Sequence, residues 1–311
     1  MTSVPTSIAQ ARSAQGEYRA GGTDVQQRLR SGASAGPVVD LQGLPELNGI
    51  AWDSEGRARI GALTSIAALA DDQRMRAAYP ALARSATALA TPQIRAMATF
   101  GGNLLQRNRC WYFRHPAVSC FKKAGEGCPA RDGNHLFSSC FDLGGCVAPH
   151  PSTLGMALLV YEAHFETSDA GPRPITALYG DGSDARRDHQ LDPRELLTGV
   201  LMPVPVAEER GGYWRAISRA TAEWPLAEAV VRLTTSAGNI TSARVAVGGV
   251  APIPLRRRGV EQALIGQPAS RDTLLAAASR AADGATPLPM TAYKVGLLRA
   301  TVLEALEHAL Q

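Results

Sequence analysis

Residues 92–110 read P-Q-I-R-A-M-A-T-F-G-G-N-L-L-Q-R-N-R-C, and residues 144–152 read G-G-C-V-A-P-H-P-S. All five cysteines of the chain lie in this stretch, at Cys110, Cys120, Cys128, Cys140 and Cys146. One glycine pair, Gly101-Gly102, opens it, and a second, Gly144-Gly145, stands just before Cys146. The rest of the chain reads as scaffold for this stretch, or as a second half-site facing it.

Cysteines confined to one segment do not form a disulfide framework for a chain of 311 residues, because stabilising bridges close long loops across a fold. Four thiolates suit a soft metal, either tetrahedral zinc or an iron–sulfur cluster. Zinc knuckles use close C-x-x-C pairs, and the sequence has none. The wider spacing, with Gly125, Gly127, Pro129 and Gly133 along it, fits a loop wrapped round a bulkier object. Buried inert thiols are the third reading, set against the polar Lys122, Lys123, Glu126, Arg131 and Asp132 nearby. The residues alone leave all three open. His115, His135 and His150 read as ordinary loop residues rather than ligands.

Working outward, Glu17-Tyr18-Arg19 reads as a strand running into Ala20-Gly21-Gly22-Thr23-Asp24 and then a helix from Val25. Glycines let backbone N–H groups approach a ligand, and a helix start favours an anion. Thr99-Phe100-Gly101-Gly102-Asn103 reads as a second glycine turn, so the two can clasp a pyrophosphate from opposite sides. A bulky side chain at Gly101 is expected to block that backbone approach. Val38–Asp40 is a strand, residues 51–52 and 57–63 a hairpin, and Ser65 a cap for a helix over 66–70. Residues 79–90 read as helix, with a new one beginning at Pro92. Residues 154–160 are apolar regular structure, residues 163–167 a strand, residues 168–187 loop and residues 207–212 linker. Beyond them a hairpin turns about Ala237-Gly238-Asn239, and helices run over 271–282 and 290–310.

Composition sets limits. Apolar residues make up 45% and charged residues 19%, with a net charge of +4, as in ordinary globular proteins. Acids and bases are interleaved, so no nucleic-acid footprint is expected; Arg256-Arg257-Arg258 reads as a solvated face. The longest uncharged run, Leu143–Tyr161, carries Pro149 and Pro151, which argues against a membrane span. The N-terminus lacks a signal-peptide core. The expected location is cytoplasmic, or periplasmic by export with a signal-bearing partner. No G-x-S-x-G or H-E-x-x-H motif occurs, so hydrolytic chemistry is not indicated.

The segments A-G-G-T-D (20–24), I-G-A-L-T (60–64), Q-I-R-A-M-A-T-F-G-G-N-L (93–104) and A-P-H-P-S-T-L (148–154) resemble the FAD-binding subunit of molybdenum hydroxylases, the xanthine dehydrogenase family. R-A-I-S-R-A-T-A-E-W-P-L (215–226) and R-V-A-V-G-G-V-A (244–251) resemble the C-terminal part of the same subunit. The cysteine insertion is similar to that in the flavin subunit of bacterial three-subunit aldehyde oxidoreductases, where four cysteines at such spacings hold a [4Fe–4S] cluster. The resemblance implies an α+β fold: a PCMH-type FAD-binding domain in two subdomains over residues 1–206, with an iron–sulfur insertion at 105–147. A C-terminal domain of the CO dehydrogenase flavoprotein type, built of antiparallel strands and helices, would span 207–311.

By the same resemblance Arg19, Ala20, Gly21, Gly22, Thr23, Asp24 and Val25 on one side, and Thr99, Gly101, Gly102 and Asn103 on the other, meet FAD. Thr153 and Arg215 join them, and Cys110, Cys120, Cys128 and Cys146 hold the cluster while Cys140 does not. No side chain acts as acid or base on the organic substrate. A molybdenum cofactor-binding large subunit and a [2Fe–2S] small subunit are the implied partners, with an external electron acceptor. A zinc-stabilised assembly module without redox function is the alternative. Three departures bear on the strength of FAD binding, not on its location. Thr153 stands where the family usually has an acid, Arg215 where it often has Lys, and the family's first strand is expected to be missing, because only 19 residues precede Ala20.

Overall fold

The computed structural model describes residues 2–220 and 222–311; Thr221, inside the 215–226 motif, lies outside the described residues. The chain builds three sheets in sequence. The first unit holds β1 (Thr2–Ser3), α1 (Ile8–Ser13), β2 (Glu17–Arg19), α2 (Val25–Arg30) and β3 (Val38–Asp40), its strands parallel in the order β1-β3-β2. The strand expected to be missing is therefore present. It is only two residues long, too short for an alternating pattern to reveal it. Ala11, Val39, Leu41, Leu44 and Leu47 form the small core beneath this sheet.

The second unit opens with the expected hairpin, β4 (Ile50–Trp52) and β5 (Ala58–Gly61). Short helices follow: α3 (Ile66–Asp71), α4 (Gln73–Ala78), α5 (Pro80–Thr87), α6 (Pro92–Met97), α7 (Phe100–Leu104) and α8 (Trp111–Arg114). Each start is written locally. Ser65, Asp72, Thr91 and Thr99 accept a backbone N–H of the first turn with their side chains, and Pro80 and Pro92 sit where a helix needs no N–H. Then come α9 (Thr153–Tyr161), β6 (His164–Thr167), β7 (Arg173–Pro174), α10 (Ile175–Tyr179) and β8 (Leu197–Leu201), closing a five-stranded antiparallel sheet of order β4-β5-β8-β6-β7. The expected loop over 168–187 thus contains a strand and a helix. Its Gly, Pro and Asp residues lie around them rather than through them.

The third unit is a four-stranded antiparallel sheet, β12-β11-β10-β9, from β9 (Arg210–Ala216), β10 (Ala227–Ser236), β11 (Asn239–Gly248) and β12 (Leu255–Arg256), with α11 (Arg258–Leu264), α12 (Arg271–Ser279) and α13 (Tyr293–Leu310). β9 starts inside the expected linker, and α11 has no counterpart in the sequence reading. The Arg256–Arg258 run is a solvated face only at Arg258, which is exposed. Arg256 pairs with Glu162 at 2.7 Å and Glu261 at 2.7 Å, and Arg257 lies 4.7 Å over the Phe141 ring.

Helix α9 holds the second and third units together. All nine of its residues are buried, so it is apolar all round, as a helix inside a core must be. Strand alternation in β10 and β11 explains how. Ala229, Val231, Leu233, Val245 and Val247 pack with α12 and α13, whereas Val230 and Ala246 belong to the core that contains Leu154, Met156 and Leu158 of α9. Truncating Leu158, fully buried, to Ala costs about 2–5 kcal/mol. Among the described residues no helix is long and apolar enough to cross a membrane.

Candidate cofactor site and cysteine pocket

The two glycine segments meet, but they do different work. Gly21 presses so close to the α6–α7 junction that a Cβ there would fall 1.7 Å from the Met97 carbonyl oxygen, and Gly22 takes φ +75°. Among the described residues, no acceptor takes the backbone N–H groups of Gly21, Gly22, Thr23 and Asp24. The four residues are half-buried or exposed, so these amides stand open to water or to a ligand. Consecutive unclaimed ones beside a cavity make a nest for an anion.

The second segment is one turn of helix, α7, rather than a glycine turn, and its amides are already used. Phe100 donates to Thr64 O at 2.8 Å, Gly101 to Ala62 O at 2.8 Å, and Asn103 to Thr99 O at 2.9 Å. Thr99 Oγ1 accepts the Gly102 N–H at 3.1 Å. This segment supplies wall, not amide donors. Gly101 is glycine for packing, since a Cβ there would sit 2.9 Å from Ala62 Cβ and 3.0 Å from its carbonyl oxygen. Asn103 turns its Oδ1 to Ser152 Oγ at 2.8 Å and to Leu154 N at 3.3 Å, which ties α7 to the start of α9.

Between the two segments lies a cavity of about 630 Å³, within the range of cofactor sites. Ala20, Gly21, Gly22, Thr23, Asp24, Val25, Thr99, Gly101 and Gly102 line it. Arg19, Asn103, Thr153 and Arg215 are not among its lining residues. Arg19 pairs with Asp40, and Arg215 donates to Ala88 O at 2.9 Å and to Glu223 O. Thr153 donates to Glu228 Oε2 at 2.8 Å, and Tyr213 OH donates to the same oxygen at 2.9 Å. An acid therefore does stand at Thr153, contributed by β10. Burial pushes the Glu228 carboxyl up, against the lowering effect of those two hydroxyls.

Sequence reasoning missed the opposite wall, where Arg107, Lys122, Arg187, Asp188 and His189 line the cavity. These come from the insertion and from the segment that follows α10, and no local pattern marks them. Two carboxylates organise the region. Asp24 accepts from Arg28 Nε at 3.1 Å, Arg109 at 2.9 Å and Arg114 at 2.6 Å. Burial raises its carboxyl, but the Arg109 and Arg114 guanidinium groups overrule that and hold it below its ordinary range. Asp24 is thus spent on holding the insertion against the first turn. Asp188 accepts from Arg107 at 2.5 Å and pairs with Lys122 at 3.0 Å. Burial opposes its ionisation, and the Lys122 and Arg107 charges prevail, holding it far below the usual carboxylate range. The imidazoles of buried His150 and half-buried His189 are each pushed down to about 4 by desolvation, with Asp188 opposing.

The insertion carries little regular structure, yet it is pinned. Cys140 N, in the insertion, donates to Val250 O of the third unit, and His150 N, just beyond the insertion, donates to Ala251 O. His135 accepts the Met290 N–H through Nε2 at 3.2 Å, leaving Nδ1 to donate to Gly133 O. Cys110, Cys120, Cys128 and Cys146 all line one small, largely apolar pocket with Tyr112, Phe113, Phe121 and Lys122. Cys140 is elsewhere, fully buried in the core of the third unit. Among the described residues no three Cys, His, Asp or Glu side chains stand close enough for one metal ion. Four thiols that border one pocket are therefore not, as placed, a set of sulfurs at bonding distance from a single ion. The pocket holds about 20 Å³, so the aromatic rings in its wall must turn aside for anything larger than water.

Residues 4–205 match the family described as the FAD-binding domain in molybdopterin dehydrogenase, and residues 212–309 match the CO dehydrogenase flavoprotein C-terminal domain. The chain belongs to this family of FAD-binding subunits of molybdenum hydroxylases. It is 32% identical over 305 residues to the aldehyde oxidoreductase FAD-binding subunit PaoB of Escherichia coli K12, covering 94% of this chain and 91% of that one. It is 26% identical over 245 residues to the carbon monoxide dehydrogenase medium chain of Hydrogenophaga pseudoflava, covering 78% of this chain and 70% of that one. In fold it matches the carbon monoxide dehydrogenase structure from Hydrogenophaga pseudoflava with a TM-score of 0.76 at 22% identity, over 99% of this chain and 96% of that one. Quinoline 2-oxidoreductase from Pseudomonas putida 86 gives 0.73 at 18% identity, over 99% and 95%.

Proposed function

We propose that this chain is the electron-transfer subunit of a heterotrimeric molybdenum hydroxylase of the aldehyde-oxidising type, and that FAD lies in the cavity between the two glycine segments. The observation that carries the assignment is the set of unclaimed amides at Gly21, Gly22, Thr23 and Asp24, residues that line a cavity of cofactor size. A diphosphate seated there takes hydrogen bonds from the backbone without a dedicated cationic side chain. The α7 wall and Leu105 then border the remainder. FAD, when bound, takes up two electrons and two protons and passes them to an external acceptor. The chain's own part is to orient the flavin and exclude water.

The partners follow from the relatives, whose names make them subunits or medium chains of larger enzymes. A molybdenum-bearing subunit would oxidise an aldehyde or N-heterocycle, and a [2Fe–2S] subunit would deliver its electrons singly. The domain division at about residue 206 and the cytoplasmic or co-exported location belong to the same reading. Cys110, Cys120, Cys128 and Cys146 would hold a [4Fe–4S] cluster. The support is the donor set, four thiols round one apolar pocket with the fifth cysteine removed from it.

Flavin released by acid and iron assayed per chain test both cofactors together. The expected result is FAD equimolar with the chain and iron in the amount of one [4Fe–4S] cluster. Cys128→Ser should lose iron and keep much of the flavin. A chain that binds zinc and no flavin would overturn the proposal, and unchanged iron in the variant would remove Cys128 from the ligand set.

A further inference from the structure

We propose that Lys122 is a positioning residue whose buried charge sets the reduction potential of the iron–sulfur centre from the wall that the cysteine pocket shares with the flavin cavity. Among the described residues, only Lys122 and Phe113 line both spaces. The Lys122 side chain is 3% exposed, so water does not screen its ammonium. Nζ donates to Arg187 O at 2.5 Å and pairs with Asp188 Oδ1 at 3.0 Å. Asp188 does not neutralise it alone, because the other oxygen of the same carboxylate is taken by Arg107. One buried anion therefore serves two cations, and a positive charge is left over. Arg107 itself lies 4.9 Å over the Phe113 ring, so the surplus sits at the partition between the two spaces.

The inference rests on the iron–sulfur reading of the four cysteines. A cluster held by four thiolates is anionic, and it gains one more negative charge when it takes one electron. That step forms no bond, breaks none and takes up no proton. The electron comes from the reduced [2Fe–2S] partner, or from dithionite in a titration. A fixed buried cation favours the more negative form, so it raises the potential. Lys122 thereby makes the cluster easier to reduce. Phe113 fills the rest of the partition without bringing a second charge.

The test is a redox titration of the full chain, loaded with FAD and iron, with the reduced cluster followed by its electron paramagnetic resonance signal. Lys122→Met should move the midpoint in the negative direction by about tenfold in the reduced-to-oxidised ratio, or about 59 mV for one electron. Lys122→Arg keeps the charge and should restore the parent midpoint, which a purely structural role would not require. Asp188→Asn removes the shared anion and should move the midpoint the other way, and this arm decides the matter if Lys122→Met does not load iron. Parent-like midpoints in Lys122→Met or in Asp188→Asn, with iron per chain unchanged, would overturn the role of Lys122 while leaving the cluster assignment standing. A parent chain without iron would end both.

Discussion

Replacing Gly21 with Ala tests the amide cradle where it is most constrained. The added methyl would lie 1.7 Å from the Met97 carbonyl oxygen and 2.7 Å from its carbonyl carbon, against about 3.5 Å or more for ordinary contact. Both atoms are backbone, at the end of α6 and tied to Ile94 through the Ala98 N–H, so they do not step aside cheaply. The first turn must move instead, carrying the N–H groups of residues 21–24 away from their anion. A hydrogen bond to a charged group contributes about 1.5–3 kcal/mol. Losing two costs about 3–6 kcal/mol, a rise in the FAD Kd of about a hundredfold to ten-thousandfold. The assay is fluorescence titration of deflavinated protein with FAD, with Gly296→Ala as the control, since nothing lies within 4 Å of a Cβ at that position. A Gly21→Ala protein that folds and binds FAD as tightly as its parent would refute the argument that these amides hold the diphosphate.

Acid should weaken the fold well above the carboxylate range. His150 and His189 titrate near 4 in the folded chain and near 6.5 when unfolded. The unfolded chain therefore binds more protons between those values, and stability contributed above about pH 6.5 is lost as pH falls toward 4, by about 3 kcal/mol for each histidine. Denaturant midpoints measured from pH 7 to 4.5 check this, and a flat profile would contradict it. Thr153→Val should leave Glu228 with the Tyr213 hydroxyl alone and cost about 1–3 kcal/mol. Thermal unfolding should show a lower Tm, and an unchanged Tm would mean that the hydroxyl adds nothing to that buried group.

Much of the fold was legible because its signals are local. Ser65 marks a helix start by a hydrogen bond that spans three residues, Pro92 opens another at a position that needs no N–H, and β10 and β11 announce themselves by alternation. Strand β1 and helix α11 escaped because two residues carry no period, and because the run of arginines before α11 looked like surface. The first glycine turn was legible as a turn between a strand and a helix, and its amides take no backbone acceptor beside the cavity. The second was misread. The pair Gly101-Gly102 looks the same in sequence, but whether its amides are free depends on Ala62 and Thr64, which sit about forty residues away. The wall from Arg107, Lys122 and Asp188 was beyond reach for the same reason. Three distant segments meet there through charge, and charge pairing leaves no periodic trace.

The burial of α9 on every side means that neither half of this chain has a finished surface of its own. Val230 and Ala246 lie in the same core as that helix, so a graft that exchanged the C-terminal sheet between relatives would have to bring a matching helix with it. Descent should therefore have kept the two halves as one inheritance.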